Sequence, residues 1–203
     1  MKKTNTSTIT QIALFTALLC IISPFAIAFP FSPVPVSLST GMLYISVYVL
    51  GKKKSVISCG IYLLIGSVGL PVFSGFAGGV GKVLGPTGGY MLGYLFLVYI
   101  SGWFVERWNG VKDKKSSGSR EMEIKKERNT CVNYLMQGFG MALGTVVCYL
   151  LGTFWLAYQS KLSFQMALTI GVVPFLIGDV VKICLGVLIG TRIRKRLMKA
   201  GMI

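Results

Sequence analysis

The sequence predicts an all-α membrane protein with six transmembrane helices in a single domain spanning residues 1–203, and three observations carry that expectation. First, 53% of the residues are hydrophobic and only 13% are charged, with a mean hydropathy of +0.69, far from the roughly 25% charged content of a soluble domain. Second, the apolar residues gather into runs long enough to enter or cross a bilayer. Third, of 21 Lys and Arg residues, 18 fall in four groups, at Lys2–Lys3, Lys52–Lys54, Arg107–Arg128 and Arg192–Lys199. These groups stand at alternate junctions between apolar runs, as the positive-inside rule requires of cytoplasmic ends. Whole membrane spans separate them, so the net charge of +15 does not mark a nucleic-acid binder.

The first run, Ile9 to Phe29, can cross a bilayer at 1.5 Å per residue, and the proline-rich stretch Phe29–Pro35 ends it. Polar residues precede it and no A-x-A-like cleavage site follows, so it reads as a retained span. Ala13 and Ala17 place two small residues on one face, a spacing that permits close helix approach but also arises by chance. Val36–Leu50 and Val56–Leu70 are shorter runs joined by Gly51-Lys52-Lys53-Lys54, read as a tight cytoplasmic turn between tilted or partly buried helices. A glycine- and proline-rich segment follows, extending to Tyr90 and providing an extracytoplasmic loop at about 71–87.

Gly88 to about Trp108 is the fourth span, with Gly85, Gly89 and Gly93 spaced for close contact and Trp103, Arg107 and Trp108 as interfacial anchors. Residues 109–130 form a charged cytoplasmic loop or short helix in which Glu121 can pair with Lys125. Val132–Ala157 is the fifth span, with Gly140 and Gly144 four apart and Tyr149, Trp155 and Tyr158 as an aromatic belt. Ser163 suits the N-cap of a short helix, Phe164–Ile170. Pro174 suits the first turn of the last span, Pro174–Arg192. Six spans return both termini to the cytoplasm and leave Lys82 and Lys161 outside.

Two features point to a ligand. The segment Gly69–Tyr90 is too rich in glycine and proline for helix or strand, and irregular backbone beside a membrane is tolerated where it lines a cavity. It offers Phe73 and Phe76 for apolar contact, glycines such as Gly79 whose N–H groups approach a ligand, and the cation of Lys82. Thr87 and Tyr90 add hydroxyls at the positive end of the fourth helix. The second feature is Asp179, the acidic residue inside a span, with Lys182 one turn later on the same face. Three residues apart, they can simply neutralise one another. Charge within a span also marks a cavity or functional path, and beneath the loop the pair makes a polar floor.

Other chemistry fits poorly. The sequence has no histidine, and Cys20, Cys59, Cys131, Cys148 and Cys184 are scattered through apolar runs, so neither a metal centre nor a disulfide framework is expected. Neither serine nor cysteine stands beside a base, which argues against an intramembrane enzyme. Gly79-Val80-Gly81-Lys82-Val83-Leu84-Gly85 is one residue away from the dinucleotide fingerprint and lacks a βαβ setting. A P-loop needs glycine where Phe76 stands and Ser or Thr where Val83 stands.

Gly69-Leu70-Pro71-Val72-Phe73, Gly78-Gly79-Val80-Gly81, Gly85-Pro86-Thr87-Gly88-Gly89-Tyr90 and Pro174-Phe175-Leu176-Ile177-Gly178-Asp179-Val180-Val181-Lys182 occur in this order. Together they resemble the BioY family, the biotin-binding S components of energy-coupling-factor (ECF) transporters. The resemblance covers nearly the whole chain except the cytoplasmic loop, which is longer and more charged than the family pattern. It implies the six-helix S-component fold in the bacterial cytoplasmic membrane, capture of biotin from outside, and delivery on docking to a transmembrane coupling protein with two ATPase subunits. It makes Ala13 and Ala17 the docking face. Asp179 would accept a ureido N–H, while Lys182 would donate to the ureido oxygen or keep Asp179 ionised. Tyr90 and the glycine loop would close over the ligand, and Lys82, Thr87 and backbone N–H groups are the candidates for its carboxylate. Biotin is then the transported substrate, with no cofactor, and the alternative is a solitary carrier of biotin or another small vitamin that works without the coupling and ATPase subunits.

Overall fold

The computed structural model describes residues 6–27, 34–109 and 120–199. α1, Thr6–Ile22, stops well short of Phe29, because Pro24 disfavours helix in the residue before it and cannot donate to the helical ladder. The chain then forms a two-residue strand, β1 (Ala26–Ile27), antiparallel to β2 (Val36–Ser37).

α2, Ser39–Val68, is broken at Gly51, whose φ of 77° and ψ of 173° lie outside helical geometry. Its arms, 39–50 and 52–68, are two of the six expected helices. They fold back on one another, since the Tyr62 hydroxyl reaches the Ser39 side chain, which a straight helix would hold about 35 Å away. The backbone N–H of Lys52 is capped from another helix, donating to Glu106 Oε1 at 2.6 Å.

The glycine-rich segment is more ordered than its composition suggests. It contains a five-residue helix, α3 (Val80–Leu84), and a bridge between Phe73 and Ala77. Phe73 is buried against Tyr62, in a slot left by Gly66, where a Cβ would lie 2.1 Å from the ring. Gly75 N–H donates to Pro24 O at 2.9 Å and Gly79 N–H to Gly66 O at 2.7 Å. These bonds satisfy backbone that would otherwise be stranded.

α4 is Gly88–Asn109 and α5 is Arg120–Ser160, which extends back through the segment expected as a cytoplasmic loop. The Glu121–Lys125 pairing lies outside the described side chains. Small residues let α4 and α5 approach: a Cβ on Gly93 would meet Cys148 Sγ at 2.7 Å, and one on Gly144 would meet Leu97 O at 2.9 Å. Ser163 caps α6 (Phe164–Gly171), accepting from Met166 N at 3.4 Å. Pro174 lies in a 3-10 turn, Val173–Phe175, and α7 begins one residue beyond that turn, running Leu176–Lys199.

Two tyrosines join three helices. The rings of Tyr44 and Tyr48, on the first arm of α2, press on Gly186 and Gly190 of α7. Their hydroxyls bond Thr145 Oγ1 at 2.5 Å and Gln137 Oε1 at 2.9 Å on α5. The outside is apolar: Leu64, Phe154 and Ile177 are exposed by 67%, 72% and 81%. The stretches Gly88–Trp108, Val132–Ser160 and Phe164–Leu197 are long and apolar enough to cross a membrane, with α1 a shorter apolar helix. This is a multi-pass, all-α membrane protein.

Candidate ligand-binding site

The site is assembled where α7 begins. Pro174 sets the 3-10 turn, and Asp179 consequently falls in the first turn of α7, where the helix dipole favours a carboxylate. Asp179 is only 7% exposed, so its charge depends on its partners. Lys182 Nζ donates to Asp179 Oδ1 at 3.0 Å, to Ser37 O at 2.7 Å and to Thr40 Oγ1 at 3.2 Å. An ammonium has three N–H donors, and all three are engaged. Tyr149 of α5 donates its hydroxyl proton to Asp179 Oδ2. Each carboxylate oxygen therefore has one protein donor and keeps a lone pair for another.

A cavity opens beside this group; its empty space is about 460 Å³ counting the open mouth, of which about 50 Å³ is open to the centre of a water molecule. Val34, Pro35, Ser37 and Thr40 form one wall; Tyr90, Tyr94 and Leu97 come from α4; and Thr145, Cys148 and Tyr149 come from α5. Gly171, Phe175, Asp179 and Lys182 complete it. Tyr90 is fixed between Gly152 and Gly171, which leave room for its ring, and its hydroxyl donates to Gly171 O at 3.1 Å. It therefore acts as a wall. The arrangement suits a ligand with an apolar body and at least one N–H donor aimed at Asp179.

Of the residues singled out in the sequence, Asp179, Lys182 and Tyr90 meet at this cavity. Phe73, Phe76, Gly79, Lys82 and Thr87 are not among its lining residues. Phe73 belongs to the core. Phe76 is exposed and packs edge-on to Phe25, with ring centroids 5.6 Å apart. Gly79 caps α3, where its carbonyl accepts from Lys82 N at 3.1 Å. Thr87 is buried at the start of α4, and its Oγ1 has no hydrogen-bond partner among the described residues.

Sequence reasoning missed Tyr149 and the 34–40 wall. Tyr149 stands four residues from Thr145, a second polar side chain on the same face of the fifth span, and that spacing was the available signal. The Val34–Thr40 wall depends on Lys182 binding a carbonyl 145 residues away in sequence, which no local pattern encodes. Ala13 and Ala17 lie elsewhere, exposed in an apolar groove. Ile9, Ile12, Thr16 and Cys20 of α1 and Ile57, Ile61 and Ile65 of the second arm of α2 complete its walls.

Comparison with known proteins adds independent findings. A family model described as "BioY family" matches residues 1–199. A Thermotoga maritima protein named "Biotin transporter BioY" is 32% identical over 182 residues, covering 90% of this chain and 92% of that protein. A Pyrococcus horikoshii protein named "Probable biotin transporter BioY" is 31% identical, covering 92% and 95%. The crystal structure of the S-component for biotin from an ECF-type ABC transporter superposes with a TM-score of 0.78 at 28% identity, covering 96% of this chain and 94% of that one.

Proposed function

The chain belongs to the BioY family, and from that premise we propose that it is the biotin-binding S component of an ECF transporter in the bacterial cytoplasmic membrane. It captures biotin at the outer end of the bundle and delivers it on docking to a coupling protein with two ATPase subunits. Both termini and the lysine turn at Gly51 are cytoplasmic, in keeping with the basic groups.

The observation that carries the reading is the buried carboxylate of Asp179, held by Lys182 and Tyr149 at the edge of a mostly apolar cavity. Asp179 accepts a ureido N–H through a remaining lone pair. Lys182, with its donors engaged, stays paired with Asp179 and ties α7 to Ser37; donation to the ureido oxygen is the less suited of its two expected roles. Tyr90, Tyr94, Leu97 and Phe175 enclose the apolar body. The segment 69–87 closes the outer end, with Phe73 as its anchor, Phe76 on Phe25, and the Gly79 N–H bonded to Gly66. Lys82, Thr87 and backbone N–H groups, outside the cavity lining itself, remain the candidates for the ligand's carboxylate, because the Lys182 ammonium is fully engaged. The groove at Ala13 and Ala17 receives the coupling protein.

Uptake into proteoliposomes tests delivery. Biotin should accumulate with ATP only when the coupling protein and ATPase subunits are reconstituted with this chain. Equal uptake by the chain alone would overturn the subunit reading in favour of a solitary carrier.

A further inference from the structure

A second surface lies on the membrane-facing side of α4. Leu92, Phe96, Tyr99 and Trp103 recur at intervals of four, three and four residues, which places them on one helical face. Each is between 45% and 52% exposed. From Leu92 to Trp103 the face runs about 16 Å, close to the depth of one leaflet of a ~30 Å hydrocarbon core.

At its basic end this stripe carries two cations. Lys52 Nζ stands 5.0 Å from the centroid of the Tyr99 ring, and Arg107 Cζ stands 5.9 Å from that of Trp103. Lys53 is exposed beside Lys52. The nearby acid, Glu106, uses Oε1 to cap the second arm of α2 through the Lys52 N–H. Among the described residues the sole ion pair is Lys182 with Asp179, so neither Lys52 nor Arg107 has a carboxylate partner there. Cations at the edge of the hydrocarbon are costly without a counter-charge, and a lipid phosphate supplies one at that level.

We propose that this face binds one anionic phospholipid of the cytoplasmic leaflet, its phosphate held by Lys52 and Arg107 and an acyl chain lying along Leu92, Phe96, Tyr99 and Trp103. The apolar stripe leading away from the cations favours a lipid over free phosphate. The site shares no residue with the cavity at Asp179, and it does not depend on which ligand that cavity takes.

Native mass spectrometry of the full chain, released from detergent with equal amounts of phosphatidylglycerol and phosphatidylcholine of the same acyl composition, tests this. Wild type should retain phosphatidylglycerol preferentially, by roughly thirtyfold for two cation contacts. Lys52→Gln with Arg107→Gln should remove that preference while Lys195→Gln with Arg196→Gln, a charge-matched change elsewhere, preserves it. Should the double variant fail to fold, each single substitution should still lower the preference severalfold. Inorganic phosphate at high concentration should not displace the lipid. A preference that survives both substitutions, falls equally with Lys195→Gln and Arg196→Gln, or is abolished by phosphate overturns the proposal.

Discussion

Asp179→Asn is expected to weaken biotin binding by two to three orders of magnitude. The substitution is nearly isosteric, so the cavity keeps its shape. It replaces an ionised acceptor with an amide whose NH₂ must face a donor, either Lys182 Nζ or the Tyr149 hydroxyl. Removing one member of a buried, hydrogen-bonded charge pair costs about 3–5 kcal/mol, largely because the other charge is left unpaired, and each 1.4 kcal/mol is tenfold in affinity. Part of that loss will fall on the fold, so a second variant separates the two. Asp179→Asn combined with Lys182→Met removes the stranded ammonium. Its thermal midpoint in detergent should recover toward wild type while biotin affinity stays low. If Asp179→Asn binds biotin within a few-fold of wild type, the carboxylate is not the anchor.

Replacing Ala13 and Ala17 together with tryptophan is expected to abolish co-purification with the coupling protein while leaving biotin affinity unchanged. Both alanines are exposed in the groove, so larger side chains there fill the docking surface without forcing the core apart. The groove is built from α1 and the second arm of α2. The ligand cavity is built from β2, the first arm of α2, α4, α5, the end of α6 and the turn and helix that follow, and no lining residue is common to both. Retained co-purification would remove the docking role from this face. Loss of biotin binding as well would point to damage beyond the groove.

Much of this architecture was legible because bilayer physics writes itself into local sequence. Run lengths located the helices, and the lysine clusters give the expected alternation of their ends. A carboxylate inside a span is conspicuous by its cost, so Asp179 and Lys182 stood out before any fold was known. What stayed hidden depends on distant contacts. Tyr149 looked like one member of an interfacial belt, and only the packing of α5 against the start of α7 turns its hydroxyl toward Asp179. Ser37 entered the site through its backbone carbonyl, which carries no residue-specific signal. Phe73 looked like a ligand contact in a glycine-rich lid, yet the slot at Gly66 makes it a core residue that anchors the loop. The first helix ended at Ser23-Pro24 and not at the later prolines, because one well-placed proline is enough to stop it.

Isothermal titration calorimetry of the detergent-solubilised full chain against biotin, desthiobiotin and riboflavin tests the central claim most directly. Biotin should bind one to one, desthiobiotin should bind through the same ureido contact to Asp179, and riboflavin should give no heat of binding. Failure of biotin to bind, or riboflavin binding as tightly as biotin, would contradict the assignment of this cavity to biotin while leaving the six-helix fold intact.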